Sequence, residues 1–484
     1  SMYDIKHNGI LNRRSRHIGG VVTAAGLSAN DMILWSFIVL PISIITYGAG
    51  QCFVAVGLFV GNVFNWLFLA RRIKAYQELS KKEIYNASDF MSVRYGARGL
   101  NYILAISWMI ILMFILYLVL TYVAKIIGGH TNKDSIIYIF IILVALVAII
   151  SVADGKFFLI GKAVTYITML VIVIALIVLI FVHFSPTGIL DIYRKCNLPG
   201  GTRTYLDIMY YDGKPIQVTD IISMVSAALG SIGFPFFFGG ILRCRDSKEV
   251  DKSRVLGMLI SGISVITVSF FALLSIVAFY PVKAKSIKNS YEVFNKAINA
   301  LSADYKYGVL IKDISIGVYL LALIFFAGSL LLMIAELLRG IIPSVRIGRI
   351  HVHRVHVDIL IISIVVSTVL LMYLYSDLDA ISIIVRDWDV CGGVFAAPLI
   401  CGILYDKSTK TGIYSGFFAG ALTYGLISYI PVVTELTIPY VSDINEGVFA
   451  FAVNMIVILV VSRFTKKPDS KQLRLLEQVK ISQR

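Results

Sequence analysis

Long apolar runs recur along this sequence and are separated by short polar segments. Runs of about 18 to 28 residues could each cross about 30 Å of hydrocarbon as helices. Hydrophobic residues make up 58% of the 484 residues and charged residues 15%, against about a quarter in a soluble domain. We therefore predict an all-α polytopic membrane protein with the bilayer as its solvent. The predicted spans lie near 20–47, 51–70, 100–127, 135–153, 157–182, 219–242, 255–280, 314–338, 357–375, 380–404, 412–431 and 445–462.

The distribution of charge indicates how the chain crosses the membrane. The formal net charge is +15, but the basic residues lie in short clusters between apolar runs, and alternate loops carry most of them. This positive-inside pattern predicts about twelve spans in the plasma (cell inner) membrane, with both ends in the cytoplasm. The loop with Lys283, Lys285 and Lys288 is an exception. A nucleic-acid partner would need one contiguous basic face, so we exclude that class.

The order of the spans predicts one transmembrane domain followed by a tail. In the tail, leucine and valine recur at near-helical spacing, which predicts a short surface helix. The domain covers 1–463, with a core at about 18–404 and additional helices at about 411–463, and the basic cytoplasmic tail covers 464–484.

Little in the chain suggests catalysis. No segment is long and polar enough for a soluble catalytic domain, and the seven histidines lie at loops and span ends. The five cysteines are scattered, so no disulfide framework is expected. We expect neither an enzyme nor an organic cofactor, and no cleavable signal peptide. Two outer segments, at about 184–218 and 281–312, are long enough to fold over an entrance.

The first span carries polar residues at membrane depth. It reads GGVVTAAGLSANDMILWSFIVLP, with Asn30 and Asp31 near its middle and Pro41 after them. Transporters build sites from broken helices, because unwound backbone is tolerated only beside a cavity. A carboxylate at the bilayer centre costs about 3 kcal/mol and needs a partner. We predict a break here, with Asp31 as ion or substrate anchor and Trp35 beside the solute; alternatively, Asp31 only bonds a neighbouring helix.

The sixth span carries a second group of helix-breaking residues. It reads SAALGSIGFPFFFGG, in which Gly230, Gly233 and Pro235 interrupt regular helix bonding. We predict a break that exposes backbone to substrate, with Ser231 and Phe234 in the same site; the alternative is that the glycines serve close helix packing. Breaks in spans one and six predict two inverted five-helix repeats around a central site.

Two further polar features leave alternatives open. Lys162 lies about 9 Å along the fifth span from Lys156 if the segment is helical, where it is either functional or a snorkelling lysine. The tenth span contains Arg386, Asp387, Trp388 and Asp389, which form either an ion cluster at the outer mouth or a substrate contact.

Several segments resemble the sodium/solute symporter family, nearest its sodium/proline branch. The resemblance extends over nearly the whole chain, and the segments follow the same order and spacing as in the family. They read ANDMILW, NWLFLARRIKAY, SDFMSVRYG, LGSIGFP, RDSKEVDKSR and GGVFAAPLICGILYDKSTKTGIYSGFFAGA.

The resemblance implies a five-plus-five inverted-repeat core and alternating access around a midplane site. It also implies a sodium site between spans one and eight. In this sequence Ala29 and Met32 would supply backbone carbonyls, Ser329 a hydroxyl and Asp31 a carboxylate, which are the oxygen ligands that a hard cation needs.

This sequence also departs from the family pattern. Leu330 replaces a usual serine or threonine, and Ala163 aligns with an aspartate that the family often carries in span five. Ala227 and Ser231 replace aromatic residues of the proline pocket. Because oxygen ligands are lost and Lys162 adds a positive charge, we hypothesise that Lys162 stands in for sodium.

A secondary active symporter of a small polar organic solute, amino-acid-like by the nearest branch, is the leading functional prediction. Its partners would be the solute, the lipid bilayer and a coupling cation, sodium or a proton. The alternative is a transporter-like sensor or regulatory membrane protein with a degenerate ion site. A channel is less favoured, because no segment forms a repeated filter loop.

Overall fold

Helices make up almost all of the fold. The computed structural model describes residues 18–80, 84–128, 138–139, 141–143, 145–146, 155–196, 198–280, 290–302, 308–341, 346–347, 350–351, 380–430 and 444–481. Within this described part, nine helical stretches are long and apolar enough to cross a membrane. The predicted all-α polytopic fold class is confirmed.

The helices and strands have the following bounds. In chain order the helices are α1 (Gly20–Tyr47), α2 (Ala49–Leu79), α3 (Ala87–Tyr95), α4 (Arg98–Ile127), α5 (Gly155–His183), α6 (Pro186–Lys195), α7 (Thr202–Leu206), α8 (Val218–Val225), α9 (Ala227–Gly233), α10 (Pro235–Arg243), α11 (Ser247–Phe279), α12 (Ser290–Ser302), α13 (Gly308–Ile341), α14 (380–404), α15 (Lys410–Tyr429), α16 (Glu446–Phe464) and α17 (Ser470–Ile481). Two antiparallel hairpins pair β1 (Tyr210–Tyr211) with β2 (Lys214–Pro215) and β3 (Arg346–Ile347) with β4 (Ile350–His351).

Most predicted spans coincide with these helices. Helices α2, α11 and α13 extend beyond the predicted apolar runs, because polar turns continue them. Helix α11, for example, begins in a charged segment where Asp246 accepts the backbone N–H of Glu249 at 2.9 Å. Most of the predicted span near 135–153 lies outside the described residues, and all of the predicted span near 357–375 does.

Helix α1 differs from the predicted broken first span. Its backbone stays helical from Gly20 to Tyr47 and widens into a π-helical stretch at Trp35–Val39. Pro41 has no N–H, so it cannot bond the Phe37 carbonyl one turn earlier. The Tyr319 hydroxyl on α13 donates to that carbonyl at 3.0 Å. Because this polar partner satisfies the carbonyl, the helix continues past the proline.

The sixth span is interrupted as predicted. Helices α8 and α9 join at Ser226, whose backbone remains helical. The break comes at Phe234, which is extended with φ −78° and ψ 134°, and Pro235 begins α10. Proline fits the first turn of a helix, where its missing N–H has no intrahelical partner to lose.

The segment predicted to fold over an entrance packs on the end of α1. The Tyr205 hydroxyl on α7 lies 3.0 Å from the carbonyl oxygens of Ile44 and Ile45. Gly48 permits this approach: its φ is +92°, and an added Cβ would lie 2.9 Å from the Tyr205 carbonyl oxygen. The segment thereby fixes the turn between α1 and α2.

The predicted helix in the tail is confirmed as α17. Leu476 and Val479 are buried on the end of α2, whereas Ile481 is exposed. The Lys480 ammonium forms an ion pair with Asp406 in the loop after α14. The amphipathic face that the sequence indicated is therefore packed on the protein.

Removing the Tyr319 hydroxyl tests how α1 continues past Pro41. We expect Tyr319→Phe to lower the free energy of unfolding by about 1–3 kcal/mol, because it leaves a buried carbonyl unpaired. Thermal unfolding of the purified protein in detergent measures the change. Tyr76→Phe is the matched control, because no described residue bonds the buried Tyr76 hydroxyl. If the two substitutions lowered the free energy of unfolding equally, the Tyr319 hydroxyl would not be what stabilises α1 at Pro41.

Candidate functional site

Three side chains donate hydrogen bonds to backbone carbonyls around the break in the sixth span. The indole N–H of Trp388 donates to the Ala227 carbonyl at 2.9 Å, and that of Trp108 donates to Gly233 at 3.1 Å. The Asn65 amide donates to the Ser231 carbonyl at 2.8 Å. The donors come from α14, α4 and α2. Carbonyl groups that the sequence suggested for substrate are therefore bonded to protein.

Glycines bring the broken span against α14. A Cβ added at Gly230 would lie 2.1 Å from Trp388 Cδ1, and one added at Gly233 would lie 1.9 Å from the Cys391 carbonyl oxygen. No larger residue fits at either position without displacing backbone or an indole ring. These glycines thus serve close packing, the alternative that the sequence left open, beside a break that lies at Phe234.

A cavity of about 610 Å³ lies above this packed layer. Tyr47 and Tyr429 at its mouth are exposed, whereas Trp35 and Trp388 at its floor are 4% and 2% exposed. Their rings meet edge to face with centroids 5.5 Å apart. The cavity is lined by Trp35, Val39, Leu40, Ser43, Tyr47, Gln51, Val54, Tyr211, Asp220, Ser223, Met224, Ser226, Ala227, Ser382, Val385, Arg386, Trp388, Asp389, Tyr424, Ser428, Tyr429, Asn445 and Glu446.

Of the sequence-predicted substrate residues, Trp35 lines the cavity and the others lie behind its floor. Gly230, Ser231, Gly233 and Pro235 are buried in the broken span, and Phe234 stacks on Trp388 with ring centroids 4.9 Å apart. The RDWD segment of the tenth span takes part more directly, since three of its four residues line the cavity, Asp387 being the exception.

A buried charged group lies on α1 and α5. The Lys162 ammonium contacts Asn30 Oδ1 and is attracted by Asp31, and all three residues are at most 4% exposed. No described residue donates a hydrogen bond to either carboxylate oxygen of Asp31. Desolvation makes an isolated charge very costly here. The negative charge of Asp31 favours the Lys162 ammonium, whereas the Arg243 guanidinium disfavours it.

The remaining predicted ion ligands are also buried. Ala29 and Met32 lie on α1, and the N–H of Trp35 already bonds the Met32 carbonyl. Ser329 lies on α13, where its hydroxyl donates to the Phe325 carbonyl at 3.0 Å. Helix α13 packs against both α1 and α5. The helices that carry the predicted ligands and Lys162 therefore pack against one another.

An ion pair and hydrogen bonds close the end of the bundle opposite the cavity mouth. Arg243 at the end of α10 pairs with Glu336 on α13 at 2.5 Å. The Lys74 ammonium donates to the Cys244 carbonyl at 2.6 Å, and the backbone N–H of Gly20 donates to Glu249 at 2.6 Å. These contacts hold the ends of α1, α2, α10, α11 and α13 together.

Sequence reasoning missed the donors that hold the break. Asn65 and Trp108 lie in spans two and three, and both are buried. An asparagine within an apolar run was a usable signal, because a buried amide needs partners. Trp108 gave no such signal, since tryptophan is common in spans. Other residues of the cavity lining, such as Tyr47, Tyr424 and Glu446, were also missed, because separate segments of the chain contribute them.

A discontinuous helix beside a cavity open at one end and closed at the other is typical of α-helical solute carriers. Comparison with known proteins identifies the family of solute carriers to which the chain belongs. The model of the sodium:solute symporter family matches residues 13–420. The chain belongs to the sodium:solute symporter family.

Individual relatives support the assignment. The sodium/proline symporter of Staphylococcus aureus strain Newman is 27% identical over 477 residues, covering 94% of this chain and 87% of that protein. A sodium-coupled sialic acid symporter in an outward-open state shares the fold, with a TM-score of 0.69 at 12% identity over 96% of this chain and 93% of that one. Mhp1, a nucleobase-cation-symport-1 family transporter, gives 0.53 at 13% identity over 96% and 97%.

Neutralising Glu336 tests the closed end. Cys244 follows Arg243 and is fully buried, and burial raises the pKa of its thiol, so it should react slowly with thiol reagents. We expect Glu336→Gln to speed its labelling about tenfold, a shift of about 1.4 kcal/mol in the opening equilibrium. Labelling rates are measured with Cys52 and Cys196 replaced by serine.

An exposed ion pair provides the control for this experiment. Arg194 and Asp191 pair on α6 and are both largely exposed, so Arg194→Gln should leave the labelling rate unchanged. An unchanged rate in Glu336→Gln as well would show that the Arg243 pair does not hold this end closed.

Asp89 on α3 generates a prediction for pH. Burial raises the pKa of its carboxyl from 3.8 to about 6, with repulsion from Glu336 adding to the shift and bonds from Tyr85 and Asn101 opposing it. Between these values the folded state holds a proton that the unfolded state has released. Stability should therefore fall as pH rises from about 4 to about 6, by up to about 2 kcal/mol.

Substitution of Asp89 isolates its contribution from those of other carboxyls. Asp89→Asn should make the free energy of unfolding less dependent on pH in that window, and the difference from wild type is the quantity to compare. Thermal unfolding at closely spaced pH values measures it. Parallel curves for the two proteins would rule out the raised pKa.

Proposed function

We propose that the chain is a secondary active transporter that moves a small polar organic solute by alternating access, coupled to sodium. The observation that carries the proposal is the cavity, which is open beside Tyr47 and Tyr429 and closed at the other end by Arg243 and Glu336. A carrier must close one side of its site while the other is open. Family membership and the sodium-coupled relatives support the choice of ion.

The cavity fits a solute of amino-acid size. Its volume of about 610 Å³ falls within the range of about 300–1,000 Å³ typical of small-molecule sites. Trp35 and Trp388 offer flat apolar surfaces at the floor, and Ser226 and Asp389 offer polar groups on the walls. The solute is amino-acid-like, by the sodium/proline names of the relatives.

The buried charges of α1 and α5 give the carrier its electrostatic centre. Asp31 is an anchor whose charge Lys162 compensates in this state, and the anchor is released when the helices move. Ala29, Met32 and Ser329 form the surrounding ion site. The chain lies in the plasma (cell inner) membrane with both ends in the cytoplasm, so the Arg243 end faces inward. Residues 1–463 act as one transporter domain, and residues 464–484 form the tail.

One observation favours a second candidate for the coupling. The Lys162 ammonium already lies against Asn30, beside the position where the family resemblance expects sodium. A resident cation repels another cation at that distance. In this second function Lys162 stands in for sodium, and the solute moves with protons or without a coupled ion.

Uptake into proteoliposomes tests the function and the ion together. Labelled proline and a panel of amino acids and organic acids are offered under sodium, potassium or proton gradients at otherwise fixed conditions. We expect accumulation driven by sodium and lowered at least about tenfold by Asp31→Asn, because Lys162 then loses its compensating charge. Arg194→Gln, which removes an exposed ion pair on α6 outside the cavity lining, should retain transport.

Uptake under the three ion gradients distinguishes sodium coupling from the sodium-free function of Lys162. Uptake that responds to sodium at fixed pH excludes the sodium-free function of Lys162. Uptake that follows only a proton gradient, or no gradient, excludes sodium coupling. Flat uptake across the whole panel would overturn the transport function for these solutes.

A further inference from the structure

Polar atoms without a protein partner cluster where α2 meets the broken span. Asn62 and Asn65 on α2 and Ser231 on α9 are each 0% exposed. The amide oxygen and nitrogen of Asn62, the amide oxygen of Asn65 and the hydroxyl of Ser231 have no hydrogen-bond partner among the described residues. Such atoms destabilise a folded protein unless a ligand satisfies them.

Contacts between the two helices bring these side chains together. The Asn65 amide nitrogen lies 2.8 Å from the Ser231 carbonyl oxygen, and a Cβ on Gly61 would lie 2.8 Å from Ser231 Cβ. Asn62 follows Gly61 directly and precedes Asn65 by three residues, a spacing that places both asparagines on neighbouring positions of one helix face. Asn65 and Ser231 therefore meet at the interface, and Asn62 lies one turn before Asn65 on the same face of α2.

The local backbone supports a ligand at this place. Helix α2 widens into a π-helical stretch at Asn65–Leu69, and π-bulges are frequent at functional sites. The carbonyls of Ala227 and Gly233 already accept the indole N–H groups of Trp388 and Trp108, and the Ser231 carbonyl accepts from Asn65 within the cluster.

The donor set selects the class of ligand. Two amide oxygens and a hydroxyl are hard, neutral oxygen ligands that suit a cation of the alkali or alkaline-earth group. No carboxylate belongs to the cluster, so a divalent ion would lack charge compensation, whereas a monovalent ion needs less. The other candidate place for a cation, beside Asp31, already holds the Lys162 ammonium.

We propose that Asn62, Asn65 and Ser231 bind a monovalent cation, at a sodium site separate from the ion site at Ala29, Met32 and Ser329. The inference rests on the sodium coupling of the proposed function. The ion bridges α2 and α9 and so fixes the half of the broken span whose Ala227 carbonyl bonds Trp388 at the cavity floor. Occupancy of the cation site is thereby linked to the shape of the solute cavity.

An apolar isostere tests the site without removing a protein contact. Full-length protein in detergent is heated in sodium chloride or in choline chloride at equal ionic strength, and the unfolding temperature is followed as sodium is titrated. Wild type should be stabilised by sodium. Asn62→Leu should fold at least as stably without sodium, because its amide has no protein partner, and should lose the sodium shift. Ser231→Ala should raise the sodium midpoint at least about tenfold.

Ser36→Ala is the matched control, because Ser36 is likewise a buried residue whose hydroxyl has no described partner, on a different helix. It should keep the wild-type sodium midpoint. An unchanged midpoint in Asn62→Leu and Ser231→Ala would overturn the site, whether water or nothing binds there.

Uptake measurements separate this inference from the proposed function. Sodium-driven uptake with a midpoint insensitive to Asn62→Leu overturns the site and leaves sodium symport standing. A sodium shift that Asn62→Leu abolishes, in a protein that moves no solute, supports the site and overturns transport. Proton-driven uptake with no sodium shift in wild type overturns both the site and sodium coupling.

Discussion

The structure depends on the requirement that polar backbone groups at membrane depth find partners within the protein. The break before Pro235 leaves the Ser231 and Gly233 carbonyls without regular helical donors, and Asn65 and Trp108 from two other helices bond them instead. The position of the break is therefore defined by tertiary packing as much as by Pro235. Trp388 at the cavity floor bonds Ala227 at the start of the same half-helix, which connects this half of the span to the solute site.

Helices around the break share a second adaptation to this constraint. Trp35–Val39 in α1, Asn65–Leu69 in α2 and Cys391–Phe395 in α14 are all π-helical. A π turn carries one more residue than an α turn, so consecutive side chains such as Asn65 and Trp66 are both buried. The wider turns thus give these helices polar or aromatic contacts that regular helices would direct elsewhere.

Features set by local sequence could be predicted, and features set by distant partners could not. The spans follow from length and apolar content, and the break in span six follows from Gly233 and Pro235. The continuity of α1 past Pro41 could not be predicted, because it depends on a hydroxyl at Tyr319, which is 282 residues from Phe37. Likewise, Lys162 was recognised as unusual, but its contact with Asn30 arises only when α1 and α5 pack.

Two polar groups, one charged and one neutral, therefore lie in different helix interfaces. The contact between Lys162 and Asn30 joins α5 to α1, while Asn65 on α2 meets Ser231 on the broken span. A ligand changes a conformational equilibrium only through contacts that differ between the states. Motion of the broken span relative to α2 changes the neutral group and leaves the charged pair on α1 and α5. The neutral group is thus the better position for an ion whose binding changes the conformation of the cavity.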